Sequence, residues 1–141
     1  MTAVKSLLLV ALLGAPLAAC KDDRPAAPAR PVDKIATVSV AELDGLIAQG
    51  GCTPVDANGD TTRRKIGVIP GAVLLSDYET YAASELPADK ARPLIFYCAN
   101  EQCGASHTAA EKAVVAGYAD VRVLPAGILG WRDAGKRLQT L

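Results

Sequence analysis

The sequence predicts one small α/β domain: a doubly wound parallel sheet flanked by helices on both faces. Three observations carry that expectation. Short apolar strands alternate with helical periods from Ile35 onward, as in a parallel sheet assembled from β-α-β units. Leu94-Ile95-Phe96-Tyr97 is a continuous apolar run, which a strand covered on both faces requires. Residues 35–141 are of ordinary single-domain size.

The segments before the domain have other work. Lys5 precedes an unbroken apolar run from Leu7 to Leu13, and small residues lead to Leu17-Ala18-Ala19-Cys20. The whole apolar stretch from Leu7 to Ala19 is 13 residues, whereas a helix needs about 20 to cross a bilayer. Residues 1–19 therefore read as a signal peptide. Its end resembles the lipobox of bacterial lipoproteins, which implies a lipid on Cys20 and a domain held at the cell envelope, outside the cytoplasm. In a Gram-negative cell that is the periplasmic side. An ordinary signal peptide ending in a chance cysteine is the alternative. Residues 20–34 carry Pro25, Pro28 and Pro31 among alanines and mixed charges, so they read as an extended spacer. From Ile35 onward ten basic residues face twelve acidic ones, a net charge of −2. That balance gives no electrostatic case for a nucleic-acid partner.

The elements follow in order. Ser39 and Glu42 form a capping box ahead of a helix whose apolar face is Val40, Leu43, Ile47 and Ala48, ended by Gly50-Gly51. Thr53 to Val55 is a short strand stopping at Asp56, and a polar loop runs to Lys65. Ile69-Pro70-Gly71 is a turn before a strand at Val73–Leu75. A short helix is expected over Tyr78–Ser84. The strand Leu94–Tyr97 delivers Cys98. A helix over Ala105–Ala116 ends at Gly117, Val121–Leu124 is the last strand, and a turn and helix over Gly127–Leu138 close the chain.

The chemistry concentrates in Cys98-Ala99-Asn100-Glu101-Gln102-Cys103-Gly104-Ala105-Ser106-His107. A cysteine where a central parallel strand ends lies where open α/β sheets bind ligands. The loop after it leads into a helix N-terminus, whose free N–H groups favour an anion or thiolate. A persulfide on that sulfur could be held by the same groups, with no metal and no cofactor. Cys98 is the candidate nucleophile, and residues 99–106 are its loop.

These residues and their neighbours resemble the rhodanese-like (sulfurtransferase) family across nearly all of Thr37–Leu141. Val55-Asp56 matches its early strand ending in Asp. Gly67-Val68-Ile69-Pro70-Gly71-Ala72 is similar to its Gly-His-Ile-Pro-Gly-Ala turn, with Val68 in place of His. Tyr97-Cys98 matches the strand and catalytic cysteine. Gly117-Tyr118, Val121, Val123, Gly127, Trp131 and Ala134-Gly135 match the closing half. The resemblance implies that Cys98 accepts a sulfane sulfur from a small donor and passes it to a thiol acceptor. Two departures stand out. The loop is about two residues longer than the family's, and Ala105 stands where Arg is common. The longer loop resembles that of related phosphatases and arsenate reductases, which also rely on an Arg that this loop lacks.

Cys103 opens a second class of function, since a thiol this close could attack an oxidised or persulfurated Cys98 and close a disulfide. Three readings stand together: resolving cysteine, permanent disulfide and independent thiol. The alternative to a sulfurtransferase is thus a non-catalytic or thiol-redox module with a Cys98/Cys103 switch. Asp56 could hydrogen-bond the loop or cap its own turn. Arg63, Arg64 and Lys65 could supply the missing positive charge or be a solvated run. His107 could act as acid or base on the sulfur or be a surface residue. Cys52 reads as a small buried thiol and Trp131 as core.

Overall fold

The computed structural model describes residues 35–141. The expected signal peptide, Cys20 and the expected spacer lie outside the described residues. Five strands form one parallel sheet: β1 (Ala36–Thr37), β2 (Thr53–Asp56), β3 (Val73–Leu74), β4 (Leu94–Tyr97) and β5 (Val121–Leu124). Their spatial order is β1-β5-β4-β2-β3. The helices are α1 (Val40–Ala48), α2 (Asp60–Ile66), α3 (Ala105–Val115) and α4 (Gly127–Asp133).

Period-2 alternation in β4 builds two cores, one on each face of the sheet. Leu94 and Phe96 point one way and pack with Val55, Val123 and the α3 alanines Ala109, Ala110 and Ala113. Ile95 and Tyr97 point the other way and pack with Leu43 of α1 and Ile128 and Trp131 of α4. The strand is buried at every position, which explains its unbroken apolar run. Alanines on α3 let that helix lie close to the sheet.

The capping box forms as expected. The Glu42 N–H donates to Ser39 Oγ (3.2 Å) and the Glu42 carboxylate accepts from the Ser39 N–H (2.7 Å). The Ser39 hydroxyl also donates to that carboxylate (2.7 Å), and this bond, then the one from the Ser39 N–H, holds the Glu42 carboxyl below its ordinary range.

Three expectations need correction. The polar loop before Lys65 is the helix α2, which carries almost no apolar period. It is held instead by Arg63, which reaches back to β2, and by Asp60 pairing with Arg63 and Arg64 one turn on. The helix over Tyr78–Ser84 is a turn followed by a 3₁₀ turn at Ala83–Glu85. The Asp77 carboxylate accepts from the N–H groups of Glu79 and Thr80, and that of Glu85 accepts from Ser76 and Ala82. Side chains thus take donors that a helix would have used. The last helix stops at Asp133, because Gly135 turns left-handed (φ +70°) and the Trp131 indole N–H holds the Arg137 carbonyl at 2.9 Å. The edge strand β1 lacks a two-residue apolar signal and was not expected.

This topology positions the site. The chain leaves β2 through α2 on the α1/α4 face and leaves β4 through α3 on the opposite face. Adjacent strands whose connections diverge leave a crevice at their carboxyl ends. Cys98 is the first residue beyond β4 there.

Candidate functional site

The loop Ala99–Gly104 folds back over Cys98, and the structure pairs Cys98 with Cys103 as a disulfide with Cα atoms 6.3 Å apart. Asn100 makes the turn: its carbonyl accepts from the Cys103 N–H (3.1 Å) and its side chain accepts from the Gln102 N–H (3.1 Å). Cys98 is only 1 % exposed, while Cys103 is half-buried. Ser106, on the first turn of α3, is buried and brings its hydroxyl to 3.4 Å from Cys98 Sγ.

The surroundings of the sulfur differ from the N–H cradle expected of a strand-loop-helix site. Its near neighbours are carbonyl oxygens, of Cys103 at 3.0 Å and of Asn100 at 3.9 Å. The loop carries both carbonyls toward the sulfur as it folds back over Cys98. They suit a disulfide sulfur or a neutral S–H, whereas a thiolate needs donors. With the pair closed, Cys98 is held as a disulfide sulfur. Thiolate chemistry requires the bond to open and hydrogen-bond donors to face Cys98.

The base of the loop is clamped by α4. The N–H groups of Ile128 and Leu129 donate to the carbonyls of Cys98 (2.8 Å) and Ala99 (3.1 Å). Gly127 makes the approach feasible. It sits at φ +60°, and a Cβ there would fall 2.5 Å from the Ala99 carbonyl oxygen and 2.6 Å from that of Cys98. Of this clamp the sequence offered only the glycine, as part of a family pattern. The neighbourhood of α4 followed from topology, because in a parallel sheet the loops after β2, β4 and β5 all emerge at one edge.

Asp56 and Arg63 are both buried, at 0 % and 5 % exposure. Asp56 Oδ1 accepts from the Asn58 N–H (2.7 Å) and from Arg63 Nε (3.3 Å). Arg63 Nη2 donates to the carbonyls of Asp56 (3.0 Å) and Leu75 (2.9 Å), just past β3. The guanidinium is thus committed to joining the ends of β2 and β3, not to the cysteine loop. Arg64 is exposed and faces Asp60. Of the two readings of this run, Arg64 fits the solvated one, whereas Arg63 fits neither and is a buried structural charge. Asp56 lies beside Tyr97 in register. Burial, then the Asp56 carboxylate, pushes the Tyr97 phenol far above its ordinary range. The Tyr97 hydroxyl accepts from the Ile69 N–H (3.1 Å), tying the Ile-Pro-Gly turn to the strand that carries Cys98.

The remaining candidates have plain positions. Glu101, Gln102, Gly104 and His107 are exposed, and Ala99, Asn100 and Ala105 are half-buried, with Ala105 packed against the α3-side core. His107 has no contact with either sulfur among the described hydrogen bonds. Cys52 is buried in the opposite core near β2, far along the strand from the loop, and burial pushes its thiol up.

Fold and site together define a doubly wound α/β domain with a cysteine at the carboxyl end of its central strand. The chain belongs to the rhodanese-like domain family, whose model matches residues 39–134. Solved structures agree in fold. A Bacillus halodurans protein is 25 % identical with TM-score 0.65, covering 74 % of this chain and 77 % of its own. The rhodanese-like domain of an Anabaena protein is 21 % identical with TM-score 0.63, covering 77 % and 81 %. A human single-domain sulfurtransferase is 24 % identical with TM-score 0.56, covering 71 % and 97 %. No curated protein gives a significant match to the chain.

Proposed function

We propose that this protein is a sulfurtransferase in which Cys98 takes up a sulfane sulfur and hands it to a thiol acceptor. The observation that carries the reading is the seat of Cys98, at the switch point of the sheet and 3.4 Å from the Ser106 hydroxyl at the head of α3. In the reduced protein the Cys98 thiolate attacks the outer sulfur of a persulfide donor R–S–S⁻. The donor S–S bond breaks, R–S⁻ leaves with the electron pair, and Cys98 carries the persulfide. An acceptor thiolate attacks the terminal sulfur and regenerates the Cys98 thiolate, with no net oxidation.

The Cys98–Cys103 pairing favours a second reading, a thiol-redox module. Here the Cys103 thiolate attacks Cys98 Sγ of the persulfide, HS⁻ leaves, and the disulfide forms. An external dithiol resets it, attacking the more exposed Cys103 sulfur and releasing Cys98. One experiment weighs the two. The reduced protein is charged briefly with polysulfide, and an added mass of about 32 Da, one sulfur atom, is followed over time. If Cys103 resolves, Cys103→Ser prolongs the adduct about tenfold or more, because an intramolecular thiol has a high effective concentration. Equal lifetimes remove Cys103 from the mechanism. A protein that takes up no sulfur at all removes the sulfurtransferase.

The membrane tether in this reading rests on Leu17-Ala18-Ala19-Cys20 and the apolar run before it. In this reading acyl chains on Cys20 carry the anchoring; no helix among the described residues is long and apolar enough to cross a membrane. A paired Cys98–Cys103 suits a compartment outside the cytoplasm. Cys20→Ala is expected to abolish lipid incorporation and shift the protein from the membrane to the soluble fraction or leave it unprocessed. A mature N-terminus elsewhere than Cys20 overturns this part.

A further inference from the structure

The cysteine loop lies between two clefts of opposite charge that share Leu129 as a wall. One, of about 430 Å³, is lined by Thr61, Thr62 and Lys65 of α2 and by Arg132 of α4.

 Ala99, the residue directly after Cys98, forms its floor on the loop side. The other, of about 440 Å³, is lined by Asn100, Glu101 and Asp133 among others. The basic cleft contains no carboxylate, and the acidic cleft contains no cation. Lys65 makes no salt bridge among the described residues. Arg132 turns Nε and Nη2 to Asp133, which leaves Nη1 uncommitted, and an exposed pair of this kind holds its partners weakly.

We infer that the basic cleft is the substrate-recognition site, and that Lys65 and Arg132 bind the carboxylate of an organic persulfide donor. The inference rests on the sulfur-transfer reading and names the substrate class for it. Positive charge that the loop itself lacks is supplied from α2 and α4. Glu101 and Asp133 repel an anion from the other side, so approach is restricted to one face of the loop. The volume lies in the range of sites for multi-atom organic ligands, about 300–1,000 Å³, and far exceeds what an inorganic oxyanion fills. Thr61 and Thr62 add hydroxyl donors, and Leu129 covers the apolar part of the donor. The leaving thiolate R–S⁻ departs beside the same two cations, and the bonds made and broken are those of the uptake step above.

The test compares donors of opposite charge on the reduced full-length protein. Glutathione persulfide carries carboxylates, and cysteamine persulfide carries an ammonium group. The rate of Cys98 persulfide formation is measured for the parent and for the Lys65→Gln/Arg132→Gln double variant, with melting temperature as the control for folding. The double variant is expected to lose about tenfold with glutathione persulfide and to be unchanged or faster with cysteamine persulfide. Raising the salt concentration should slow the parent with the anionic donor and leave the variant unaffected. A variant as fast as the parent with glutathione persulfide overturns the inference, as does an equal loss with both donors. If neither donor charges Cys98 in the parent, the sulfur-transfer reading itself fails, a result distinct from transfer that ignores charge.

Discussion

Replacing Cys98 with serine is expected to abolish sulfur uptake, with a loss of at least roughly a hundredfold in adduct yield, because a hydroxyl is no substitute for a thiolate nucleophile. The other cysteines cannot take its place. Cys52 is buried in a separate core and burial raises its thiol away from the thiolate form. Cys103 sits on the loop and lacks the Ser106 hydroxyl beside its sulfur that Cys98 has. The substitution also removes the Cys98–Cys103 bond, so Cys103→Ser is the proper comparison: it loses the same disulfide and keeps the nucleophile. Mass mapping after polysulfide treatment reads the outcome directly. Sulfur on Cys103 of the Cys98→Ser protein, at parental yield, would show that the acceptor has been misassigned.

The second large effect concerns stability rather than chemistry. Arg63→Met should destabilise the domain by about 3–5 kcal/mol, since it removes one partner of a buried ion pair and leaves the other charge uncompensated. Asp56 is fully buried and its carboxylate accepts from the Asn58 N–H. Arg63 also donates to the Asp56 and Leu75 carbonyls, which lose those bonds together. For a domain of this size the melting temperature should fall by at least roughly 12 °C. The double variant Asp56→Leu/Arg63→Met should recover part of the loss, because it no longer buries a lone charge. Arg64→Met, exposed and one residue away, should change little. A melting temperature of Arg63→Met within about 3 °C of the parent would mean that the pair does not hold β2 to β3. Loosening that junction should also reach the site, since the Ala57 N–H donates to the Tyr97 carbonyl (2.9 Å), one residue before Cys98.

The division between what sequence and fold decide runs through the same residues. Local rules were enough for α1, because its capping box and apolar spacing act within one turn. They were enough for β4 and for Cys98 at its end, because a strand buried on both faces must be apolar throughout. They were enough for the α/β class, since helices alternating with short strands leave few other ways to bury both faces. They failed for α2, whose helix depends on Arg63 reaching Asp56 and Leu75, contacts that exist only once β2 and β3 are paired. For the same reason Arg63 read as a free charge and proved a structural one. The carbonyl oxygens around Cys98, the α4 clamp through Gly127 and the two clefts of opposite charge were beyond the sequence. Each depends on where separate loops meet in space, and no periodicity along the chain records that. The amino acids by themselves determined which cysteine follows the central strand and what kind of sheet presents it. Only the tertiary structure decided what surrounds that sulfur, because the strand order β1-β5-β4-β2-β3 brings the ends of β2, β4 and β5 to one edge.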